Sequence, residues 1–285
     1  MNCRTDIALE RQEIKGEKCE GVIVKNKKVG NAQITEVHIV NAQGEKNLGK
    51  PIGKYITIDL PEFSHESELL DGRLKALIDS LTAVLPRNIK NALVVGLGND
   101  NITPDALGPL CAEQIFSTRH IDKNFSDYLG INNLISVSSV STGVLGQTGI
   151  ETAEYIKGIT EIVKPDVVIV IDALASRQLS RLGKTVQISD VGIAPGSGVG
   201  NHRKTIDKNS LGIPVIAVGV PTVVDANTIV KDLTGKIIED EITEIMMVTP
   251  KDIDTVISRA ARLLSLSINC ALQPDLKPDF FLSIS

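Results

Sequence analysis

Apolar and polar positions keep two different rhythms along this chain, and they change near residue 62. Between Cys19 and Leu60 the short stretches "GVIVKN", "AQITEVHIV" and "KYITIDL" alternate apolar with polar positions, separated by Gly, Asn and Lys. That pattern predicts half-buried antiparallel strands. "HESELLDGRLKALIDSLTAVLP" then spaces its apolar residues as a helix does, ending at Pro86. Beyond it, strand-like runs alternate with helical ones. "ALVVGL", "LISVSSV", "VVIVID", "TVQISD" and "PVIAVGV" read as strands, with helices from about Pro104 and along "ETAEYIKGITEIVK". Runs apolar at nearly every position belong to strands covered on both faces. A last amphipathic helix begins at Pro250. The expected fold is α/β: a doubly wound, mostly parallel sheet covered by helices on both faces, with a small N-terminal antiparallel β subdomain. The expected divisions are an N-terminal leader and propeptide region over 1–18, the β subdomain over 19–62 and an α/β catalytic domain over 63–285.

Composition narrows the classes of function. In 285 residues, 42% hydrophobic and 23% charged, the chain has enough apolar surface to fold as a whole. Aromatic residues make up only 3% and Trp is absent, so platforms for stacking bases or sugars are scarce. The formal charge of −5 does not attract nucleic acid or an anionic membrane. The four cysteines are far apart, with no CxxC and no His at ligand spacing, which reads as reduced thiols in a cytoplasmic protein. Cys111 reads as a buried filler. The charged start "MNCRTDIALERQE" lacks the apolar core of a signal peptide, and no run reaches membrane-spanning length.

Two acids stand out against this apolar frame. "VVGLGNDNITPDALGP" runs from a strand into Gly96 and Gly98, but a dinucleotide fingerprint would need its third glycine where Asn101 stands. Thr103 can cap a helix, Pro104 can enter its first turn, and Asp105 then sits at the positive end. The second acid, Asp172, is read as the last residue of the buried strand "DVVIVID", and functional crevices in open α/β sheets lie at the carboxyl ends of strands. Either acid can serve only as a helix cap. If the two face each other, they share one proton and form an acid/base pair that needs neither metal nor cofactor. Alternatively they hold a divalent cation with His202 as a third ligand.

Glycine-rich stretches follow two of the strands. Gly143, Gly146 and Gly149 fit plain turns, whereas Pro195 to Asn201, with Gly196, Ser197, Gly198 and Gly200, has more freedom than a connection needs and reads as a substrate-binding loop. Arg177, Arg181 and Arg203 are cations available to an acidic substrate side chain, or to surface pairing. Ser197 lacks the frame of a serine nucleophile, because Pro195 stands where the first Gly belongs.

Four motifs in order, "GLGNDNITPDALGP", "KPDVVIVIDALASR", "DVGIAPGSGVGN" and "LGIPVIAVGVPTVVDA", carry a resemblance over nearly the whole chain. Together they resemble the germination proteases of spore-forming bacteria, relatives of the hydrogenase maturation endopeptidases. The resemblance implies endoproteolysis of small acid-soluble, DNA-binding spore proteins during germination, in the forespore and spore core, by a homotetramer. It implies that Asp105 and Asp172 are the two catalytic aspartates. It further implies a zymogen that removes its own leader at a site like those it cuts in substrates, and in "RTDIALE" that bond is Asp6–Ile7. The same residues also read as a capped helix start, with Thr5 or Asp6 before "IALERQEIK". Two rivals are a hydrogenase-maturation-like protease that reads a bound nickel ion and a nucleotide-binding regulatory module using Gly96 to Asn99. The long motifs disfavour the first. Scarce aromatics, the missing phosphate Lys and the "RTDIALE" site disfavour the second.

Overall fold

The computed structural model describes residues 5–16, 19–61, 63, 72–122, 131, 133–196, 203–234 and 246–284. Its N-terminal part holds α1 (Ala8–Lys15), β1 (Val22–Val29), β2 (Ala32–Ile39), α2 (Ala42–Leu48) and β3 (Gly53–Asp59). The alternating stretches pair as expected: β1 with β2 and β2 with β3, all antiparallel. Short α2 went unread in the sequence, although Asn41 accepts from the Gly44 amide at its start and Gly49 closes it in the left-handed region.

After α3 (Gly72–Thr82) come β4 (Asn91–Gly96), a 3-10 turn over Thr103–Asp105, α4 (Leu107–Glu113) and β5 (Ser136–Ser141). Next are α5 (Leu145–Thr148), α6 (Thr152–Val163), β6 (Val167–Ser176), β7 (Thr185–Ser189), α7 (Lys208–Leu211) and β8 (Val215–Asp225). The chain ends with α8 (Ala226–Thr234), β9 (Met247–Val248), α9 (Ile253–Leu272) and α10 (Pro278–Ile284). Among the described residues the strands form one sheet in the order β1-β2-β3-β7-β8-β6-β4-β5, with β9 on β8. The run β8-β6-β4-β5 is parallel, as βαβ crossovers require. β7 runs antiparallel to both β3 and β8, which joins the N-terminal strands to the main sheet as one continuous wing.

Side-chain alternation assigns the two faces. Ile34, Ile58, Val94, Ile169 and Val218 face a core closed by α3, α4 and α9. The opposite face packs Leu93, Val95, Val170 and Ala217 with Ile156 of α6. Farther along that face, Val37, Ile39 and Tyr55 pack against Ile7, Leu9 and Leu48. The sheet is thus covered on both sides.

Two strands run longer than their sequence indicated: β8, read as ending at Val220, continues to Asp225, and its partner is extended with it. β6 does not end at Asp172 but continues to Ser176, paired with β8 from Val168↔Val215 to Ser176↔Val224 across a bulge at Leu174/Ala175. "ALAS" has helix-forming composition, but pairing to the long β8 overrides that preference.

Candidate active site

Asp105 is placed by a turn that only glycine permits. At Gly98 φ is +115°, and a Cβ there would lie 2.1 Å from the Asp105 carbonyl oxygen. The chain folds back so that the Asn99 amide donates to Asp105 Oδ2 at 2.7 Å. Asn99 is itself held, its Oδ1 accepting from Gln147 Nε2 at 2.7 Å. Gly108 lets α4 settle on β4: a Cβ on it would stand 2.2 Å from the Leu97 carbonyl oxygen and 2.6 Å from that of Ile171. The glycines of this motif therefore serve turning and close packing. The expected helix from Pro104 is a 3-10 turn followed by α4, and Asp105 lies at their junction. Burial raises the Asp105 carboxyl above its ordinary range, opposed by the Asn99 amide and the Arg203 charge.

Asp172 is 6% exposed. The Ala173 amide donates to its Oδ1 at 3.0 Å. Burial first, then the negative charges of Asp105 and Asp6, push its carboxyl well above the ordinary range. The two acids line one cleft of about 480 Å³, together with Asp6, Pro195, Gly196 and Arg203. Two carboxyls so placed lose their protons in separate steps, and Asp172 is the more strongly shifted toward the neutral form. Such a pair can take a proton from water on one side and deliver one on the other.

The N-terminal segment enters this cleft. The Asp6 amide donates to the Ala175 carbonyl at 3.0 Å, and the Ala175 amide donates to Asp6 Oδ2 at 2.9 Å. Residue 6 is thus tied at two points to the extended end of β6. Ile7 is fully buried, and it occupies the N-cap of α1 with no side-chain cap of its own. Thr5 Oγ1 accepts from the Ile7 amide at 3.1 Å and also bonds Glu10, a turn ahead of the helix in place of the cap expected of Thr5 or Asp6.

The three arginines separate. Arg203 lines the cleft, 3.9 Å from Glu151. Arg181 is buried elsewhere, paired with Glu13 at 2.7 Å and with Glu10 and Asp59 at 3.6 Å. Nearness to Asp172 in sequence suggested a role in binding substrate, but the acids of α1, distant in sequence, occupy it. Arg177 is half-buried, its amide donating to Glu10 Oε2 at 2.7 Å, and it does not line the cleft. Ser197, Gly198, Gly200, Asn201 and His202 lie outside the described residues. Cys111 is in the core, where burial pushes its thiol up. Sequence reasoning missed Ala175, Lys50 and Gln187 around Asp6. Only Gln187 left a signal: in β7 the polar Thr185, Gln187 and Ser189 alternate with Val186 and Ile188, placing a wholly polar row on a buried strand.

Against models of known families, the one described as germination protease, a peptidase family, matches residues 3–244. The chain belongs to the germination protease family. It is a protease. The germination protease of Clostridium perfringens is 41% identical over an alignment covering 96% of each chain. That of Caldanaerobacter subterraneus subsp. tengcongensis is 44% identical, covering 97% of this chain and 96% of the relative. Among solved structures, a NiFe hydrogenase maturation protease, HycI, from Thermococcus kodakarensis aligns with 68% of this chain and 98% of its own at 21% identity, with a TM-score of 0.40. Among the described residues, no helix is long and apolar enough to cross a membrane.

Proposed function

We propose that this member of the family is an aspartate-type endopeptidase made as a zymogen, that it cleaves its own Asp6–Ile7 bond, and that it then degrades small acid-soluble, DNA-binding proteins in the spore core. One observation carries the reading: Asp6 lies in the cleft lined by Asp105 and Asp172, its amide on the Ala175 carbonyl and its carboxylate on the Ala175 amide. In the reaction the ionised carboxyl takes a proton from water as its oxygen attacks the Asp6 carbonyl carbon. The protonated carboxyl gives its proton to the Ile7 nitrogen as the C–N bond breaks, leaving a carboxylate and an amine. Spore proteins that are unstructured when free can enter the emptied cleft as an extended chain. Arg203 is the cation we assign to neutralising the acidic substrate residue, with the loop from Gly196 to Asn201 as a further binding element. Assembly as a homotetramer belongs to the same reading and is checked by sedimentation equilibrium.

Intact mass of the full chain, incubated at mildly acidic pH, tests the mechanism. Wild type is expected to lose Met1 to Asp6. Asp105→Asn and Asp172→Asn, folded by circular dichroism, are expected to keep them, with cleavage slowed at least about 10³-fold. A folded Asp172→Asn chain that processes at the wild-type rate overturns the assignment.

A further inference from the structure

The carbonyl group of Asp6 has partners of its own, apart from the aspartate pair. Its oxygen accepts from Lys50 Nζ at 2.8 Å and from Gln187 Nε2 at 3.0 Å. The other end of the Gln187 amide accepts from the Ala8 amide at 2.7 Å. Gln187 therefore spans the Asp6–Ile7 peptide, and the Ala8 contact fixes which end of its amide faces the carbonyl. Sheet register explains the position. Gln187 pairs with Gly219, and Gly219 pairs with Asp172, so the three form one row on one face. Strands lie about 4.8 Å apart, which sets Gln187 and Asp172 roughly 10 Å from each other across a residue without a side chain. The N-terminal segment crosses this row, and Asp6 lines the cavities on both sides of it: Gln187 and Lys50 in one, Asp172 and Asp105 in the other.

Hydrolysis converts a planar carbonyl into a tetrahedral centre whose oxygen carries a full negative charge. Donors held about 2.7–3.1 Å from that oxygen, away from bulk water, are the means by which acyl-transfer sites stabilise it. Two side-chain donors on one backbone carbonyl, one of them an ammonium, exceed what satisfying a buried acceptor requires. We propose that Lys50 and Gln187 form the oxyanion site for cleavage of Asp6–Ile7, binding the Asp6 oxygen more tightly as its charge develops. The inference rests on the reading above that this bond is the one processed. It also divides the chemistry: with the oxygen held by Lys50 and Gln187, the proton of the aspartate pair goes to the leaving Ile7 nitrogen. Desolvation lowers the Lys50 ammonium to about 8, against the pull of the Asp6 charge and with the push of Arg11, so it stays protonated under mildly acidic conditions.

The test follows the processing rate of the full chain by intact mass at the same mildly acidic pH, with Lys50→Met, Gln187→Glu and Lys50→Arg beside wild type. Gln187→Glu retains an acceptor for the Ala8 amide but loses the donor to the Asp6 oxygen. Lys50→Met and Gln187→Glu are each expected to slow cleavage about 10²–10³-fold, and Lys50→Arg, which still donates, is expected to restore part of the rate. Hydrogen exchange at the Asp6 amide, measured in an Asp172→Asn background that does not cleave, reports whether the segment stays docked on Ala175. Slow cleavage with Asp6 still protected supports the oxyanion role. Slow cleavage with protection lost reduces Lys50 and Gln187 to docking contacts and overturns it. If wild type cleaves at Asp6–Ile7 and both variants match its rate, the oxyanion proposal falls while the processing reading stands. If wild type does not cleave there, the processing reading falls, and this proposal with it.

Discussion

Asp172 opposes stability at the place where we propose that it serves chemistry. Its carboxyl is buried beside two other acids, so the folded state holds a proton that the unfolded chain releases above about pH 4. Because the native state then binds more protons than the unfolded one, stability falls as pH rises through that range. Asn at this position has nothing to titrate. Asp172→Asn should therefore be more stable than wild type at pH 7, raising Tm by about 2–4 °C, the shift that ~1 kcal/mol makes in a domain of this size. The gain should shrink toward zero as pH approaches 4. Thermal melts of the two proteins from pH 4 to 8 check it, and a constant difference would mean that Asp172 is not the titrating group. The two acids were legible in sequence because a charge on an apolar strand, or at a Pro-marked helix start, contradicts its surroundings. Lys50 was not legible: it sits among Asn47, Gly49 and Pro51 like any loop lysine, and only the fold brings it to the Asp6 carbonyl. The partners of Arg181 were not legible for the same reason, since Glu10 and Glu13 approach it from more than a hundred and sixty positions away.

At the scale of elements, α6 and α9 were legible because many positions report one period, and β4 and the first half of β8 because their apolar runs are unbroken. The C-terminal half of β6 was not, since Ala173 to Ser176 carry no strand signature and gain their conformation from β8. That half matters most for the site, because Ala175 holds Asp6 there. The contact of α4 with β4 is a second case in which local residues answer to a neighbour. An alanine at position 108 would drive its Cβ into the carbonyls of Leu97 and Ile171, main-chain atoms that no rotamer change can move. Gly108→Ala should destabilise the protein by about 3 kcal/mol. Since α4 follows directly from the turn carrying Asp105, self-processing should also slow in whatever fraction stays folded. Chemical denaturation with intact-mass kinetics on the same samples checks both effects. Gly146 makes a control: a Cβ there meets nothing within 4 Å, so Gly146→Ala should leave stability within about 0.5 kcal/mol of wild type.

For the whole molecule, the question is what one cut removes. Thr5 and Asp6 belong to the segment that would leave, and with Asp6 go its ties to Ala175, Lys50 and Gln187. The rest of the segment has separate anchors. Ile7, Ala8 and Leu9 are packed against Val37, Ile39, Leu48 and Tyr55, and burying Ile7 and Leu9 contributes about 1.5–3 kcal/mol each. Glu10, only 1% exposed, accepts from the Ser176 hydroxyl and from the Arg177 and Gln178 amides, and lies 3.6 Å from the Arg181 guanidinium. Cleavage would remove the bonds of Thr5 to Glu10, to the Ile7 amide and to Arg11, but none of the contacts just named involves residues 1–6, so the cleft would empty while α1 stays as part of its wall. Hydrogen exchange in peptides covering residues 7–16 should accordingly remain slow after processing. Glu10→Ala is the contrasting case. It leaves the half-buried Arg177 amide and part of the Arg181 guanidinium without that acceptor, while the Ser176 hydroxyl and the Gln178 amide keep their bonds within residues 176–178, a loss of about 3 kcal/mol, and should free those same peptides to exchange before any cut is made. If the processed wild type exchanges as fast as Glu10→Ala, α1 departs with the leader, and the active enzyme has a cleft open on the side of β2 and β3.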